Sequence, residues 1–235
     1  MIEWEEHIAT LQKLTVPSTK EEVKKALIEA VKKRIPKEKF GLFLSGGLDS
    51  NIIALILKKF TDNFTCYCVG IKGSKDMEAA EKIAKELGLN LKKREYSIEE
   101  VEEPLKKAAQ ILKTNHCVEI EIASVIIAAA ELAKKDKIRV FFGGLGSEEI
   151  FAGYERHEKA KNVNEECWRG LKEMWKRDIK RDEMIEKALG IKMLTPFLDD
   201  DLIKKAMGIP GERKVNLEHR KIILSEIAEE LGLSH

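Results

Sequence analysis

The chain has 235 residues, of which 43% are hydrophobic, enough to bury the core of one α/β domain or of such a domain with a helical appendage. Its 42 Lys and Arg residues balance 41 Asp and Glu residues, so the net charge of +1 indicates neither a nucleic-acid partner nor a membrane surface. The longest apolar stretch, residues 120–133, contains Glu121 and Glu131 and is too short to cross a bilayer, and residues 1–30 lack a signal-peptide core. We therefore expect a cytoplasmic protein.

The predicted elements alternate between helices and strands over the first two thirds of the chain. A capping-box pattern at residues 18–21 opens a helix that should end near Pro36. Strands are predicted at residues 40–44, a short apolar run, and at 64–71, 91–96 and 138–142. Helices are predicted between these strands, at about 77–87, after a second capping box at 97–100, and at about 119–134.

Strands separated by helices are typical of a mostly parallel sheet with helices on both faces. We predict an α/β fold with a five-stranded sheet in residues 1–154, followed by a helical extension, residues 155–235, that packs on it. No convincing strand can be assigned beyond Tyr154. Apolar helix faces in this part could serve a homodimer as easily as a core.

The cysteines and histidines indicate no metal site. Cys66 and Cys68 stand two apart in an apparent strand, where a mutual disulfide is disfavoured, and the five histidines have no ligand spacing. We expect all four cysteines to be reduced and buried, because free cysteine is among the most buried residue types.

Two predicted strands end in glycine-rich turns, S-G-G-L-D-S at residues 45–50 and G-G-L-G-S-E-E-I-F-A-G-Y at residues 143–154. Ligands of parallel sheets bind at the carboxyl ends of the strands, and glycines ahead of a helix favour a phosphate. Neither of the commoner glycine motifs fits, since Gly47 stands where a Walker loop has lysine and Glu149 stands where a dinucleotide fingerprint has its third glycine.

The first turn resembles the SGGxDS loop of the PP-loop ATP pyrophosphatases, and the second is similar to the SGxGxDExFGGY segment of the asparagine synthetases. The same similarity extends to residues 69–71 with 76–80 and to residues 181–183 with 196–199, and it covers about residues 25–233. The resemblance implies an adenine-nucleotide-hydrolase-like fold and an AMP-forming carbon–nitrogen ligase.

The resemblance also implies the residues of the site. The nucleotide-binding residues are Leu44, Ser45, Gly46, Gly47, Leu48, Asp49, Ser50, Val69, Gly70 and Gly144. Asp49 and Glu148 are the implied catalytic residues and Mg²⁺ ligands, because one or two carboxylates hold this ion against phosphates. Either acid could instead cap its helix, and Val69 could equally be a core residue.

The implied reaction joins ATP and a small carboxylate, aspartate in the family, into an acyl-adenylate that ammonia attacks. Position 2 is Ile2 rather than a cysteine nucleophile and few residues precede Ser45, so we expect a stand-alone synthetase that takes ammonia free or from a separate glutaminase. The family also has a lysine beyond its last helix, whereas this sequence ends at His235, so that charge comes from a longer chain or from another residue.

Three positions depart from the family and leave the acceptor open. Lys192 and Leu194 stand where an acidic and a basic residue are common, and Leu145 stands where some members have glutamate. A non-catalytic nucleotide- or partner-binding module is one alternative. Another is a tRNA-modifying or sulfur-transferring PP-loop enzyme, against which the lack of a C-x-x-C pair and of a net basic charge counts.

Overall fold

The protein is represented by a computed structural model that describes residues 2–233. It contains a five-stranded sheet and helices on its connections, which confirms the predicted α/β class. The strands are β1 (Phe40–Phe43), β2 (Phe64–Ile71), β3 (Leu91–Tyr96), β4 (Val140–Phe142) and β5 (Lys192–Leu194). The helices are α1 (Ile2–Leu14), α2 (Lys20–Lys32), α3 (Leu48–Phe60), α4 (Lys75–Glu86), α5 (Glu102–Leu112), α6 (Cys117–Ala133), α7 (Ser147–Ile150), α8 (Glu155–Glu158), α9 (Val163–Met174), α10 (Lys180–Leu189), α11 (Asp200–Met207) and α12 (Ile222–Leu231). No helix within residues 2–233 is both long and apolar enough to span a bilayer.

All neighbouring strands are parallel, and their order is β3-β2-β1-β4-β5. The chain runs outward from β1 to β2 and β3, then returns to place β4 and β5 on the other side of β1. Right-handed crossovers put α3 and α4 on one face of the sheet and α5 and α6 on the other. The order reverses between β1 and β4, and such a switch point is where ligands of open parallel sheets bind.

The packing of Cα atoms divides the chain into two compact units. The helical unit combines the described residues of 1–35, 144–176 and 195–235, and the sheet unit combines residues 36–143 and 177–194. Both units are discontinuous in sequence. The division at residue 154 that the sequence suggests stays a prediction.

The core of the sheet unit is aromatic where β1, β2 and β4 lie side by side. Phe43 stacks on Phe141 with ring centroids 4.6 Å apart, and Tyr67 meets the same ring edge-on at 6.0 Å. A Cβ on Gly41 would lie 2.4 Å from Phe141 Cδ1. Gly41 is therefore a packing residue of β1.

A buried ion cluster begins α10, directly after a π-helical turn at Trp175–Ile179. Arg181 Nη2 contacts Asp182 Oδ1 at 2.7 Å and Arg181 Nη1 contacts Asp178 Oδ1 at 3.3 Å. Burial raises the pKa of Asp182 to about 6, although Arg181 opposes that shift. The motif at residues 181–183 thus contributes a paired charge cluster to the interior of the sheet unit.

The helical unit contains a second set of buried polar groups. Asp199 caps α11 and pairs with Lys33 and, at 2.7 Å, with Arg34 at the end of α2. Burial alone would raise the pKa of Asp199, but the two cations outweigh it and hold that pKa below its usual range. Lys214 is 0% exposed and its ammonium donates to Met207 Sδ at 3.4 Å, so burial lowers its pKa to about 8.

Three sequence predictions about local structure need correction. The first capping box lies one residue later, since the Thr19 amide donates to Glu22 Oε2 at 2.9 Å and the Glu22 amide to Thr19 Oγ1 at 3.3 Å. The reciprocal hydrogen bonds of the second capping box, between Ser97 and Glu100, are present, but they close a turn, and α5 begins only at Glu102. A strand does follow Tyr154, namely β5, whose three residues are too few to give a hydrophobic period.

Cysteine burial is the third correction. Cys66, Cys68 and Cys167 are buried and free, as predicted, whereas Cys117 is exposed at the first turn of α6. Burial raises the pKa of Cys66 to about 12 and that of Cys167 to about 11, so these thiols are unreactive packing groups.

Candidate functional site

The phosphate loop, residues 44–50, connects β1 to α3 at the switch point of the sheet. Its hydrogen bonds are internal: the Ser45 amide donates to Ser50 Oγ at 3.2 Å, and the Ser50 hydroxyl donates to the Gly47 carbonyl at 3.1 Å. The N-cap residue of α3 is Gly47, which has no side chain to cap the helix, and its own amide donates to Ser45 Oγ at 3.4 Å. The first amides of α3 are thus arranged as in an anion site.

Gly46 lets this loop lie directly on α4. Its φ is +72°, and a Cβ there would lie 2.7 Å from Ala79 Cβ and 2.7 Å from the Asp76 carbonyl. Both the left-handed backbone and the close approach require glycine. The small residues Ala79 and Ala80 therefore let the loop lie against α4. This contact explains why the loop and the segment at residues 76–80 occur in the same sequence.

Asn51 secures the loop from the first turn of α3. Its Nδ2 donates to the Gly46 carbonyl at 2.9 Å. The Asn51 Oδ1 atom is buried and has no hydrogen-bond partner among the described residues. A buried acceptor without a donor is costly in a folded protein, so this atom suits a site that is completed by a ligand or a water.

Val69 and Gly70 lie near the carboxyl end of β2, beside the loop. The Leu44 amide donates to the Tyr67 carbonyl at 3.0 Å, which sets Val69 and Gly70 level with the residues that follow Leu44. Val69 is half-buried and packs against the cluster around Tyr67 and Phe141, so it is a core-packing residue independently of any contact with a ligand. A Cβ on Gly70 would lie 2.8 Å from Ser74 Oγ.

The second glycine turn belongs to the helical unit from Gly144 onward. Gly146 has φ +100°, and a Cβ there would lie 2.5 Å from Leu198 Cδ2. Phe151 packs edge-on against Phe197 with ring centroids 6.1 Å apart. The turn and the P-F-L-D segment at residues 196–199 are thus one packed structure, which explains why the two motifs accompany each other.

Glu148, in the first turn of α7, pairs with Lys221. Lys221 Nζ lies 2.5 Å from Glu148 Oε1, and the exposed fractions of the two side chains are 13% and 35%. A Cβ on Gly153 would lie 1.6 Å from Glu148 Oε2 and 2.4 Å from Lys221 Cε. Glycine at 153 is therefore what lets the carboxylate and the ammonium lie together.

Glu149, the acid that follows Glu148, is a structural residue. It is 1% exposed, and Arg156 Nη2 contacts both of its carboxylate oxygens at 2.8 Å. The Tyr154 amide donates to His157 Nδ1 at 3.1 Å, so the proton of that ring is on Nε2, which lies 3.7 Å from Glu149 Oε2. Burial lowers the pKa of His157 to about 4, and the ring is neutral at pH 7.

A metal site made of protein groups alone is not present in the part of the chain that the structure describes, since no three His, Cys, Asp or Glu side chains are grouped there. Mg²⁺ in phosphate-transferring sites needs fewer, because one or two carboxylates hold it together with substrate phosphates and waters. Asp49, half-buried in the first turn of α3, and Glu148 are oxygen donors of this kind. Each of these two carboxylates, taken by itself, has the chemistry to contribute one ligand to a Mg²⁺–polyphosphate complex.

The family model for asparagine synthase matches residues 22–165 and 157–233, nearly the whole chain. The chain belongs to the asparagine synthase family. A Methanocaldococcus jannaschii protein with the provisional name glutamine-hydrolyzing asparagine synthetase 1 is 33% identical over 217 residues, 89% of this chain and 40% of that protein. The glutamine-hydrolyzing asparagine synthetase 1 of Arabidopsis thaliana is 30% identical over 218 residues, 86% of this chain and 37% of that protein.

The chain thus spans about 40% of the length of these asparagine synthase relatives. Among solved structures, an NH3-dependent NAD synthetase from Campylobacter jejuni matches 80% of this chain and 91% of that chain, with 16% identity and a TM-score of 0.42. That likeness concerns the fold alone and supports no statement about function.

The structure brings the phosphate loop together with Val69 and Gly70 in the sheet unit, and it assigns Gly144 and Glu148 to the helical unit. Neither Lys221 nor Gly153 was predicted from the sequence as part of the candidate site. The glycine at position 153 is a signal that the sequence does contain, since a glycine can mark a close approach by another group.

Proposed function

We propose that this chain is an ATP-dependent ligase domain that activates a carboxylate as an acyl-adenylate, releasing pyrophosphate, and then forms an amide with AMP as the second product. The phosphate loop carries the proposal: a glycine-rich strand-to-helix turn, a helix N-terminus that begins at Gly47 and a buried acceptor of Asn51, all at the switch point of a parallel sheet.

In this proposal the protein provides no nucleophile. The loop amides and the α3 N-terminus hold the phosphates, with Leu44, Val69, Gly70 and Gly144 near the nucleoside. Asp49 and Glu148 are the proposed Mg²⁺ ligands, and the bound ion would neutralise charge on the leaving pyrophosphate. Rate acceleration then comes from orientation and from charge neutralisation rather than from a covalent enzyme intermediate.

Aspartate is the proposed acceptor because of the family, and ammonia, free or from a separate glutaminase, is the proposed nitrogen donor. Lys192 is 65% exposed and lies 3.4 Å from Glu186, and neither it nor Leu194 supplies the acid and base that the family has there. Other small carboxylates are therefore included in the test. Since ATP is the cofactor, the cytoplasm stays the expected location.

The test is exchange of labelled pyrophosphate into ATP with Mg²⁺ and a panel of amino acids and other small carboxylates, followed by AMP release on addition of ammonium. Exchange that depends on one carboxylate supports the proposal and identifies the acceptor. ATP binding without exchange under any carboxylate contradicts it and favours a non-catalytic nucleotide-binding module.

Asp49→Asn tests the assigned role within the same assay. We expect exchange to be abolished while the circular dichroism spectrum stays unchanged, because the amide keeps the shape but removes the charge that a metal requires. Asp62→Asn is the matched control, since Asp62 is an exposed residue that pairs with Lys58 and should leave exchange unaltered. Full activity of Asp49→Asn would refute the metal role of Asp49.

A further inference from the structure

Glu148 and Lys221 form a close, partly buried ion pair. The Nζ–Oε1 distance is 2.5 Å, and the Lys221 side chain is only 13% exposed. The Glu148 carboxylate also lies against Gly153, whose missing Cβ leaves the room. Charge-assisted hydrogen bonds of this kind are among the strongest polar contacts, and partial burial weakens their screening by salt.

The backbone on both sides fixes the pair. Lys221 is left-handed, with φ 54°, and its backbone precedes the first turn of α12. The neighbouring Arg220 reaches Glu158 with Nε–Oε1 at 3.1 Å. The Gly153 amide donates to the Glu148 carbonyl at 2.8 Å, which closes the turn under the carboxylate. The fold of the backbone therefore positions the Lys221 side chain against Glu148.

We propose that the Lys221 ammonium pairs with Glu148 in place of a metal ion. A divalent metal ion then binds Glu148 tightly only when a bound polyphosphate offers Lys221 another anionic partner. The inference rests on the proposed function, since it assumes that Glu148 is a Mg²⁺ ligand. Lys221 contacts Oε1 and the second oxygen, Oε2, lies against Gly153, so a divalent ion bound to this carboxylate would lie close to the ammonium, at a cost in repulsion. Metal alone must therefore displace Lys221, whereas metal with polyphosphate gives Lys221 a new anionic partner.

The consequence is a nucleotide-dependent metal site. Free Mg²⁺ would bind this protein weakly, and the pair would keep Glu148 neutralised until substrate is present. Such coupling is reciprocal, so the polyphosphate also gains affinity from the metal that Glu148 accepts.

The experiment measures Mn²⁺ binding without nucleotide, using the electron paramagnetic resonance signal of the free ion and competition by Mg²⁺. We compare the wild type with Lys221→Met, and with Lys221→Gln in case the first variant does not fold. Removing an ion pair worth about 1 kcal/mol should tighten Mn²⁺ binding at least about fivefold. Lys24→Met is the charge-matched control, because it removes a lysine that pairs with Glu21 and Glu230 instead, and it should leave the affinity unchanged.

The double variant Glu148→Gln, Lys221→Met locates the metal. Loss of the tighter binding in this variant supports the proposal, and retention of that binding overturns it, since the ion would then be held elsewhere. Lys221 variants that bind Mn²⁺ no better than the wild type, or no Mn²⁺ binding in any variant, also overturn it. If the protein catalyses pyrophosphate exchange but the Lys221 variants do not bind Mn²⁺ more tightly, this inference is wrong and the proposed function stands. If the variants bind Mn²⁺ more tightly but the protein catalyses no exchange, the proposed function is wrong.

Discussion

Lys214 provides a quantitative test of how the helical unit is stabilised. Its side chain is 0% exposed, and burial lowers its pKa from 10.5 to about 8. At 1.36 kcal/mol per pKa unit, the charged form is disfavoured by roughly 3 kcal/mol relative to the unfolded chain. That is a large fraction of a typical domain stability of about 5–15 kcal/mol.

The replacement Lys214→Met removes the charge and keeps an unbranched side chain of similar length beside Met207. Because the folded-state pKa lies below the unfolded value, the penalty is complete below pH 8 and disappears as the pH rises toward 10.5. We expect the variant to be more stable than the wild type by about 2–3 kcal/mol at pH 7, with a gain that shrinks to near zero by pH 10.5.

Urea unfolding at a series of pH values, followed by circular dichroism, measures this difference. Lys82→Met, at an exposed position in the middle of α4, is the control and should change stability by less than about 0.5 kcal/mol. A Lys214→Met protein no more stable than the wild type at pH 7, or a gain that stays constant across the pH series, would refute the reasoning.

Three further predictions concern glycine sites and the buried ions. Gly46→Ala should weaken ATP binding at least about tenfold and cost about 1–3 kcal/mol in thermal unfolding, because its Cβ meets Ala79; Gly73→Ala, with a similar φ of +76° and nothing within 4 Å, is the control that carries backbone strain alone. Ala152→Gly removes both the left-handed φ of 57° at a non-glycine residue and a fully buried methyl group, so the free energy of unfolding should change by less than about 1 kcal/mol, and a loss above about 2 kcal/mol would contradict this. Arg181→Leu should lower the free energy of unfolding by about 3–5 kcal/mol, since Asp182 loses its cation while Asp178 keeps Arg177; a neutral result would mean that the two aspartates are protonated or hydrated.

The strands and the phosphate loop could be predicted because their information is local. β2 and β3 have the predicted bounds; β2 is an apolar run, whereas β3 is mostly charged and has apolar residues only at its two ends, Leu91 and Tyr96. The loop at residues 45–50 could be predicted from adjacent glycines that only a close backbone approach explains, and Gly46 makes that approach to α4.

The remaining features depend on contacts between distant parts of the chain. Nothing in the neighbourhood of Lys214 indicates burial, and lysine is one of the residues found least often inside. The pairing of Lys221 with Glu148 joins residues 73 positions apart, and that of Asp199 with Arg34 joins residues 165 positions apart. The sequence around an acidic residue does not indicate which distant cation it contacts. The acids of these two pairs could therefore be proposed from the sequence, whereas their basic partners could not.

The discontinuity of both units has a consequence for how the chain is made on the ribosome. Helices α1 and α2 are synthesised well before their partners α9, α11 and α12, which come from residues 163–231. The central strand β1 likewise gains β2 and β3 early, whereas β5 reaches β4 only after residue 192 has been synthesised. Each unit is therefore completed late and from widely separated segments, which slows folding and leaves apolar faces open during synthesis. A nascent chain stopped before residue 195 lacks α11 and α12 of one unit, and one stopped before residue 192 also lacks the last strand of the other, so both should be strong substrates for a chaperone.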